Sequence, residues 1–181
     1  MGTARITPNN AALVIVDWQE KLYRVMDESR REQALKAASN LKWMAESTEM
    51  PVLISEQYPK GLGPTVLPLR GQPTVEKVTF SAMATEEFSN RLATLKREHV
   101  VVSGMETHIC VAQTCRDLVD AGHTVWLVAD ACLSRRELDW ELGVERIRAD
   151  GARVVTSEAV LFDLLGTAKS PHFRELSKRI R

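Results

Sequence analysis

The chain has 181 residues, enough for one domain with a sizeable core, and its 44% hydrophobic and 27% charged content is ordinary for a globular protein. Its 24 basic side chains balance 24 acidic ones, which gives no electrostatic case for nucleic acid or an anionic membrane as partner and little charge repulsion against self-association. The opening M-G-T-A-R-I-T-P-N-N lacks the apolar centre of a secretory signal, no apolar run approaches the roughly 20 residues of a membrane span, and an odd set of 3 cysteines gives no disulfide framework, so a soluble, cytoplasmic protein is expected.

Residues 11–17, A-A-L-V-I-V-D, form a short apolar run ending on a carboxylate. Without alternation, it reads as a parallel strand buried on both faces. Asp27 or Ser29 then caps a helix reaching about residue 49, with Leu35, Ala38, Leu41, Met44 and Ala45 at spacings of three and four. Residues 51–54 are a second strand, and the E-Q-Y-P-K-G-L-G-P-T that follows is too dense in Gly and Pro for regular structure. A weaker strand at 75–79, a charged surface helix at 85–97 and a buried strand at 99–103 come next. A turn at Gly104 leads into a helix ending near residue 121, stopped by Gly122. A strand at 124–129, a helix at 136–150 and a last strand at 153–156 complete the pattern. Strands alternating with helices predict an α/β fold: one domain over 1–181, three layers (α/β/α), around a mostly parallel, Rossmann-like sheet of about six strands.

Ligands of open parallel sheets bind outside the carboxyl ends of the strands. The first strand closes on Asp17, the third carries Lys77, and the strand at 99–103 runs into G-M-E-T-H-I-C-V with Cys110 near a helix start. Each has a plainer reading: Asp17 as a cap or a solvated charge, Lys77 as a surface charge, Cys110 as a small buried hydrophobe. Together they compose an activated nucleophile. A helix start lowers a thiol's pKa, a carboxylate takes its proton, and an ammonium keeps that carboxylate ionised. Trp18, Gln19, Tyr58, Phe80 and Met105 are pocket candidates, with structural aromatics and a loop-tying Gln19 as the alternatives. Cys115 lies on the apolar stripe Val111, Cys115, Leu118, Val119, and Cys132 lies just past a strand end. The four histidines show no zinc-ligand spacing, and G-L-G-P at 61–64 is no nucleotide-binding loop.

V-I-V-D-W-Q at 14–19, E-K-V-T-F-S-A-M at 76–83, G-M-E-T-H-I-C-V at 104–111 and D-A-C-L-S-R at 130–135 resemble, in order, the motifs of isochorismatase-like cysteine hydrolases. The S-E-Q-Y-P-K-G-L-G-P-T loop is most similar to the isochorismatase domain-containing subgroup. The resemblance covers about residues 12–165. It implies a catalytic triad of Asp17, Lys77 and Cys110, an oxyanion hole from the backbone N–H groups of Glu106 and Cys110, and a cis peptide at Met105–Glu106. It also implies hydrolysis of a C–N bond (amide, carbamoyl or ureido) in a small-molecule substrate through a thioester, and a homo-oligomer. Vinyl-ether hydrolysis and a noncatalytic binding module are the alternatives. Nicotinamidases of this family carry an Asp-x-His metal pair after the second strand. Gln57-Tyr58-Pro59 stands there instead, so no metal and no cofactor is expected.

Overall fold

Strand β1 (Ala11–Val16) is buried along its whole length, and its side chains divide between two cores. Ala11, Leu13 and Ile15 pack into one, Ala12, Val14 and Val16 into the other. That division follows from the two-residue period of a strand and explains why the sequence shows an unbroken apolar run. Full burial of a Leu or Ile contributes roughly 1.5–3 kcal/mol each, so the central strand anchors both layers. The computed structural model describes residues 5–181. Residues 1–4, the start of the segment read for a secretory signal, lie outside them.

Helix α1 (Glu20–Val25) follows β1, then the long α2 (Glu28–Ser47). Asp27 caps α2 by accepting a hydrogen bond from the Ser29 amide, which settles the choice between Asp27 and Ser29. Ala34, Ala37, Ala38 and Ala45 on its buried face let its backbone approach the sheet closely around Leu41 and Met44. Strand β2 (Val52–Gln57) leads to the short α3 (Pro59–Leu62), so the Gly- and Pro-dense stretch is not wholly irregular. Proline at a helix start lacks an N–H that the helix would leave unpaired anyway. Edge strand β3 (Thr74–Lys77) and α4 (Glu86–Leu95) precede the fully buried β4 (His99–Met105).

The chain does not turn at Gly104. Strand β4 continues to Met105, the Met105–Glu106 peptide is cis, and a π-helical turn at Thr107–Val111 opens the helix α5 (Ala112–Asp120). Strand β5 (Thr124–Leu133) runs past the expected end and carries Cys132 within it, bridging a register shift opposite β4. Helix α6 (Glu137–Ala149), β6 (Arg153–Val155), α7 (Ser157–Leu165) and α8 (Phe173–Arg179) follow. Helices α1, α7 and α8 had no counterpart in the sequence pattern.

The sheet order is β3-β2-β1-β4-β5-β6, and every pairing is parallel. Residues of α2, α7 and α8 cover one face, and residues of α4, α5 and α6 the other. The fold is thus the predicted single-domain α/β architecture on six strands. Strand order reverses between β1 and β4, and this switch point opens a crevice at their carboxyl ends. Val16 pairs with Gly104 there. A Cβ built on Gly104 would sit 2.7 Å from the Val16 carbonyl oxygen and 2.8 Å from Val111 Cγ2, so only glycine lets β1, β4 and the π-turn meet. Gly104→Ala is expected to destabilise the fold by about 1–3 kcal/mol through this overpacking. A urea unfolding midpoint lowered relative to the wild type checks it.

Candidate active site

Asp17 leaves β1 in the left-handed region, with φ 52°, a conformation that Asp tolerates better than most residues. Its carboxylate is wholly buried. Ser55 Oγ donates to Asp17 Oδ1 at 2.7 Å, and Lys77 Nζ to Oδ2 at 2.7 Å. Ser55 and Gln57 belong to β2, which lies between β1 and β3, so Lys77 reaches across one strand to Asp17. The ammonium also donates to Gln57 Oε1 at 2.7 Å, Phe80 O at 2.9 Å and Thr79 O at 3.1 Å. Neither charge of this pair is left without a partner, as burial in a low dielectric demands.

Cys110 sits on the π-turn and is 7% exposed, at the wall of a cavity of about 120 Å³. Asp17 and Lys77 both lie close enough to its sulfur to shift its titration. Burial pushes the Cys110 thiol up to about 12; the Asp17 charge adds to the rise, and Lys77 opposes it. The lowered thiol pKa expected from a helix start is therefore overturned, because desolvation and the adjacent carboxylate outweigh the ammonium. Burial likewise raises the Asp17 carboxyl above its ordinary range, against the charge of Lys77 and the hydrogen bonds from Lys77, Ser55 and Cys110. The resting site therefore holds a protonated thiol beside a carboxylate made more basic than usual.

Leu22, Leu62, Phe80 and Ile109 supply the apolar walls of the cavity, with Gln57 and Glu106 as its polar members. Of the pocket candidates, Phe80 is there. Trp18 and Met105 are instead fully buried in the core, and Trp18 Nε1 donates to Ser103 Oγ at 3.0 Å. Gln19 is a loop tie: it accepts from the Gln57 N–H at 2.8 Å and donates to Gln57 O at 3.0 Å and Gly63 O at 2.7 Å. Tyr58 is largely exposed and lines a separate groove with Pro59, Val78 and Thr85. Cys115 and Cys132 are each 1% exposed; the first is core, and the second also borders a cavity lined by Arg30, Asp130 and Trp140.

Sequence reasoning missed Ser55, Leu22, Leu62 and Ile109, which touch the site from β2, α1, α3 and the π-turn. A serine two residues before Gln57 on a buried strand was the available signal for the first. It also left the Glu106 side chain unplaced. Arg135 Nε donates to its Oε1 at 2.8 Å, with the arginine 57% exposed and the carboxylate 9%. The amides of Ile109 and Val111 donate to Glu106 O, while the Glu106 N–H has no protein acceptor among the described residues. No group of three or more metal-ligating side chains occurs among the described residues.

Comparison with known proteins gives the arrangement a context. The Isochorismatase domain profile matches residues 11–159. Isochorismatase domain-containing protein 2 of Xenopus laevis is 38% identical over 179 residues, covering 97% of this chain and 86% of its own. A solved structure described as the MAR1 ribonuclease of Caenorhabditis elegans aligns with a TM-score of 0.89 at 35% identity, over 98% of this chain and 92% of its own. The YcaC gene product of Escherichia coli, described as an octameric hydrolase of unknown specificity, shares the fold with a TM-score of 0.85 at 20% identity, over 99% and 98%.

The charge arrangement makes a signed prediction. Asp17→Asn removes the carboxylate that raises the thiol, so the Cys110 pKa is expected to fall, whereas Lys77→Ala is expected to raise it further. Thiolate absorbance against pH, taken as a difference from Cys110→Ala, reads both shifts. An unchanged titration in Asp17→Asn would mean that burial alone sets the thiol.

Proposed function

This chain belongs to the isochorismatase family, and we propose that within it the protein is a cysteine hydrolase that cleaves a C–N bond of a small amide, carbamoyl or ureido compound. The observation that carries the proposal is the buried Asp17–Lys77 pair set against the Cys110 thiol at a small cavity. A scaffold that only bound ligands would have no use for an ion pair whose desolvation must be offset by this many hydrogen bonds.

In this reading, a substrate carbonyl enters the cavity beside the sulfur. Cys110 Sγ forms a bond to the carbonyl carbon while its proton passes to Asp17, so a free thiolate need not build up first. The unpaired Glu106 N–H, with that of Cys110, takes the negative charge that develops on the oxygen. The C–N bond then breaks, and Asp17 returns the proton to the departing nitrogen. Water attacks the thioester, releasing the acid and restoring the thiol. Lys77 holds no substrate atom in this scheme; it keeps Asp17 ionised and fixed.

The MAR1 description of the Caenorhabditis elegans relative raises RNA as a second substrate class. The cavity here is apolar apart from Gln57 and a carboxylate, and the chain has no net charge, which is poor ground for a polyanion. A small molecule is therefore the favoured substrate, and RNA cleavage lost in Cys110→Ala would reverse that choice. No metal is assigned, since Gln57, Tyr58 and Pro59 offer neither carboxylate nor imidazole where a metal pair would stand; activity is expected to survive EDTA. Homo-oligomer formation and a cytoplasmic location remain part of the proposal. Val78 is 80% and Leu67 74% exposed, apolar surface that a second copy would cover. Sedimentation at micromolar concentration tests that with a mass above the monomer. Among the described residues, no helix is long and apolar enough to cross a membrane.

Cys110→Ala, Asp17→Asn and Lys77→Ala are each expected to cost nearly as much kcat/KM as the triple variant, because the three groups act as one unit. Mass spectrometry of the quenched wild type on a small amide should find an acyl group on Cys110. The acid limb of kcat/KM should lie above the roughly 3.9 of an ordinary aspartate, since turnover is lost as the raised Asp17 takes up a proton. Near-wild-type turnover by Asp17→Asn would overturn the reading.

A further inference from the structure

The cavity beside Cys110 has one charged member of its wall, and that member is a carboxylate. Glu106 is 8% exposed, yet its counter-charge, Arg135, is more than half exposed and approaches with Nε at 2.8 Å from Oε1. Among the described residues, no donor meets Oε2. A guanidinium in solvent is screened by water, whereas a carboxylate in an apolar pocket is not, so the pair does not present zero charge to an occupant. Of the remaining polar member, Gln57, Oε1 accepts from Lys77 and one Nε2 N–H donates to Val78 O. The Asp17–Lys77 pair next to the sulfur carries no net charge. Besides the backbone N–H donors that the proposed reaction uses, an entering molecule meets apolar side chains and one negative, hydrogen-bond-accepting corner.

We infer that Glu106 is the specificity-determining residue of this site, and that it selects small uncharged or cationic substrates bearing an N–H donor while excluding carboxylates and other anions. This deepens the amide-hydrolase reading and rests on it for the word substrate. Size points the same way. The cavity is about 120 Å³, so the part of the molecule held beside the sulfur is small. A primary amide, carbamoyl or ureido nitrogen offers Glu106 Oε2 the donor it lacks. A carboxylate placed there would face a like charge across a low-dielectric gap, which costs far more than in water. Arg135 acts through Glu106, fixing the carboxylate from outside and leaving its second oxygen for the ligand.

The test uses two reagents of nearly the same size that differ in charge and do not depend on turnover: iodoacetamide, which is neutral with an amide N–H, and iodoacetate, an anion. With either, a C–S bond forms at Cys110, the C–I bond breaks, iodide leaves, and the thiol proton is lost to Asp17 or water. Rates at Cys110 are read by peptide mass spectrometry in the intact protein, and their ratio is divided by the ratio measured on N-acetylcysteine. The wild type is expected to favour iodoacetamide by about tenfold or more beyond the free thiol, the scale set by one like charge nearby. Glu106→Gln keeps the shape and removes the charge, and should bring the ratio to within about twofold of the free thiol. Arg135→Ala, at an exposed position where folding is not at stake, should raise the wild-type ratio, because the carboxylate loses its counter-charge. A wild-type ratio equal to that of the free thiol, a ratio unmoved by Glu106→Gln, or one lowered by Arg135→Ala would each overturn the inference. Failure of the hydrolase reading looks different: no amide is turned over while the alkylation ratios hold.

Discussion

A lysine and an aspartate, both at 0% side-chain exposure and 2.7 Å apart, impose the conditions that the rest of the site obeys. Taking two ions out of water costs several kcal/mol each, and their mutual attraction repays this only with good geometry and further hydrogen bonds. The further bonds come from elsewhere in the fold: Ser55 from β2 to one carboxylate oxygen, and the Gln57 side chain with the carbonyls of Thr79 and Phe80 to the ammonium. Those groups come from a strand and a loop that are together only when the parallel register Val16–Ser55 and Gln57–Lys77 is in place. A slip of one residue would turn Lys77 to the other face of the sheet and strand both charges. The pair is thus a condition on the register of three strands as well as a piece of chemistry.

The same pair governs the thiol. An ammonium alone beside Cys110 would lower its pKa and hold a reactive thiolate, as helix starts and cations do elsewhere. Here burial pushes the thiol up to about 12, the Asp17 carboxylate adds to the rise by repelling a second negative charge, and the ammonium, spent largely on Asp17, only partly opposes them. A protonated, nearly buried thiol is a poor target for oxidants and stray electrophiles, because the thiolate is the reactive form. In the proposed hydrolysis, proton removal is then coupled to attack on a carbonyl, with the burial-raised Asp17 as the acceptor. On that proposal, low resting reactivity and reaction with a bound carbonyl have one physical origin.

The sequence made the sheet readable because parallel strands buried on both faces leave unbroken apolar runs, and 11–16 and 100–102 are such runs. It made Asp17, Lys77 and Cys110 readable because strand ends in this fold face one crevice. It did not reveal α7 and α8. Their buried residues, such as Val160, Leu161, Leu164 and Leu176, mean little until the α2 face they cover is known. It misjudged the thiol for a related reason: a helix start is local and visible in a string of letters, whereas burial and the distance to a carboxylate 93 residues away are not. Trp18 and Met105 were adjacent in sequence to chemistry and were read as pocket walls, yet both side chains are fully buried in the core.

Gln19 shows how a polar residue that touches no reacting atom still belongs to the site. Strand β2 ends at Gln57, and the chain then turns sharply through Tyr58, at φ 37°, into a one-turn helix. Past the end of a strand, the backbone N–H and C=O of Gln57 lack a neighbouring strand on the β1 side, because β1 has already ended. The Gln19 amide stands in for one, accepting from the N–H and donating to the C=O of the same residue, and its second N–H fastens Gly63 at the far end of the turn. Among side chains, a carboxamide alone supplies both an acceptor and two donors in this compact a form. A glutamate could accept but not donate, leaving two carbonyls unpaired around a fully buried side chain. Between the two fastened points lies Leu62, one wall of the cavity. The Asp-x-Gln segment therefore holds the buried carboxylate beside Cys110 and, two residues later, the tie that keeps an apolar wall of the cavity in place.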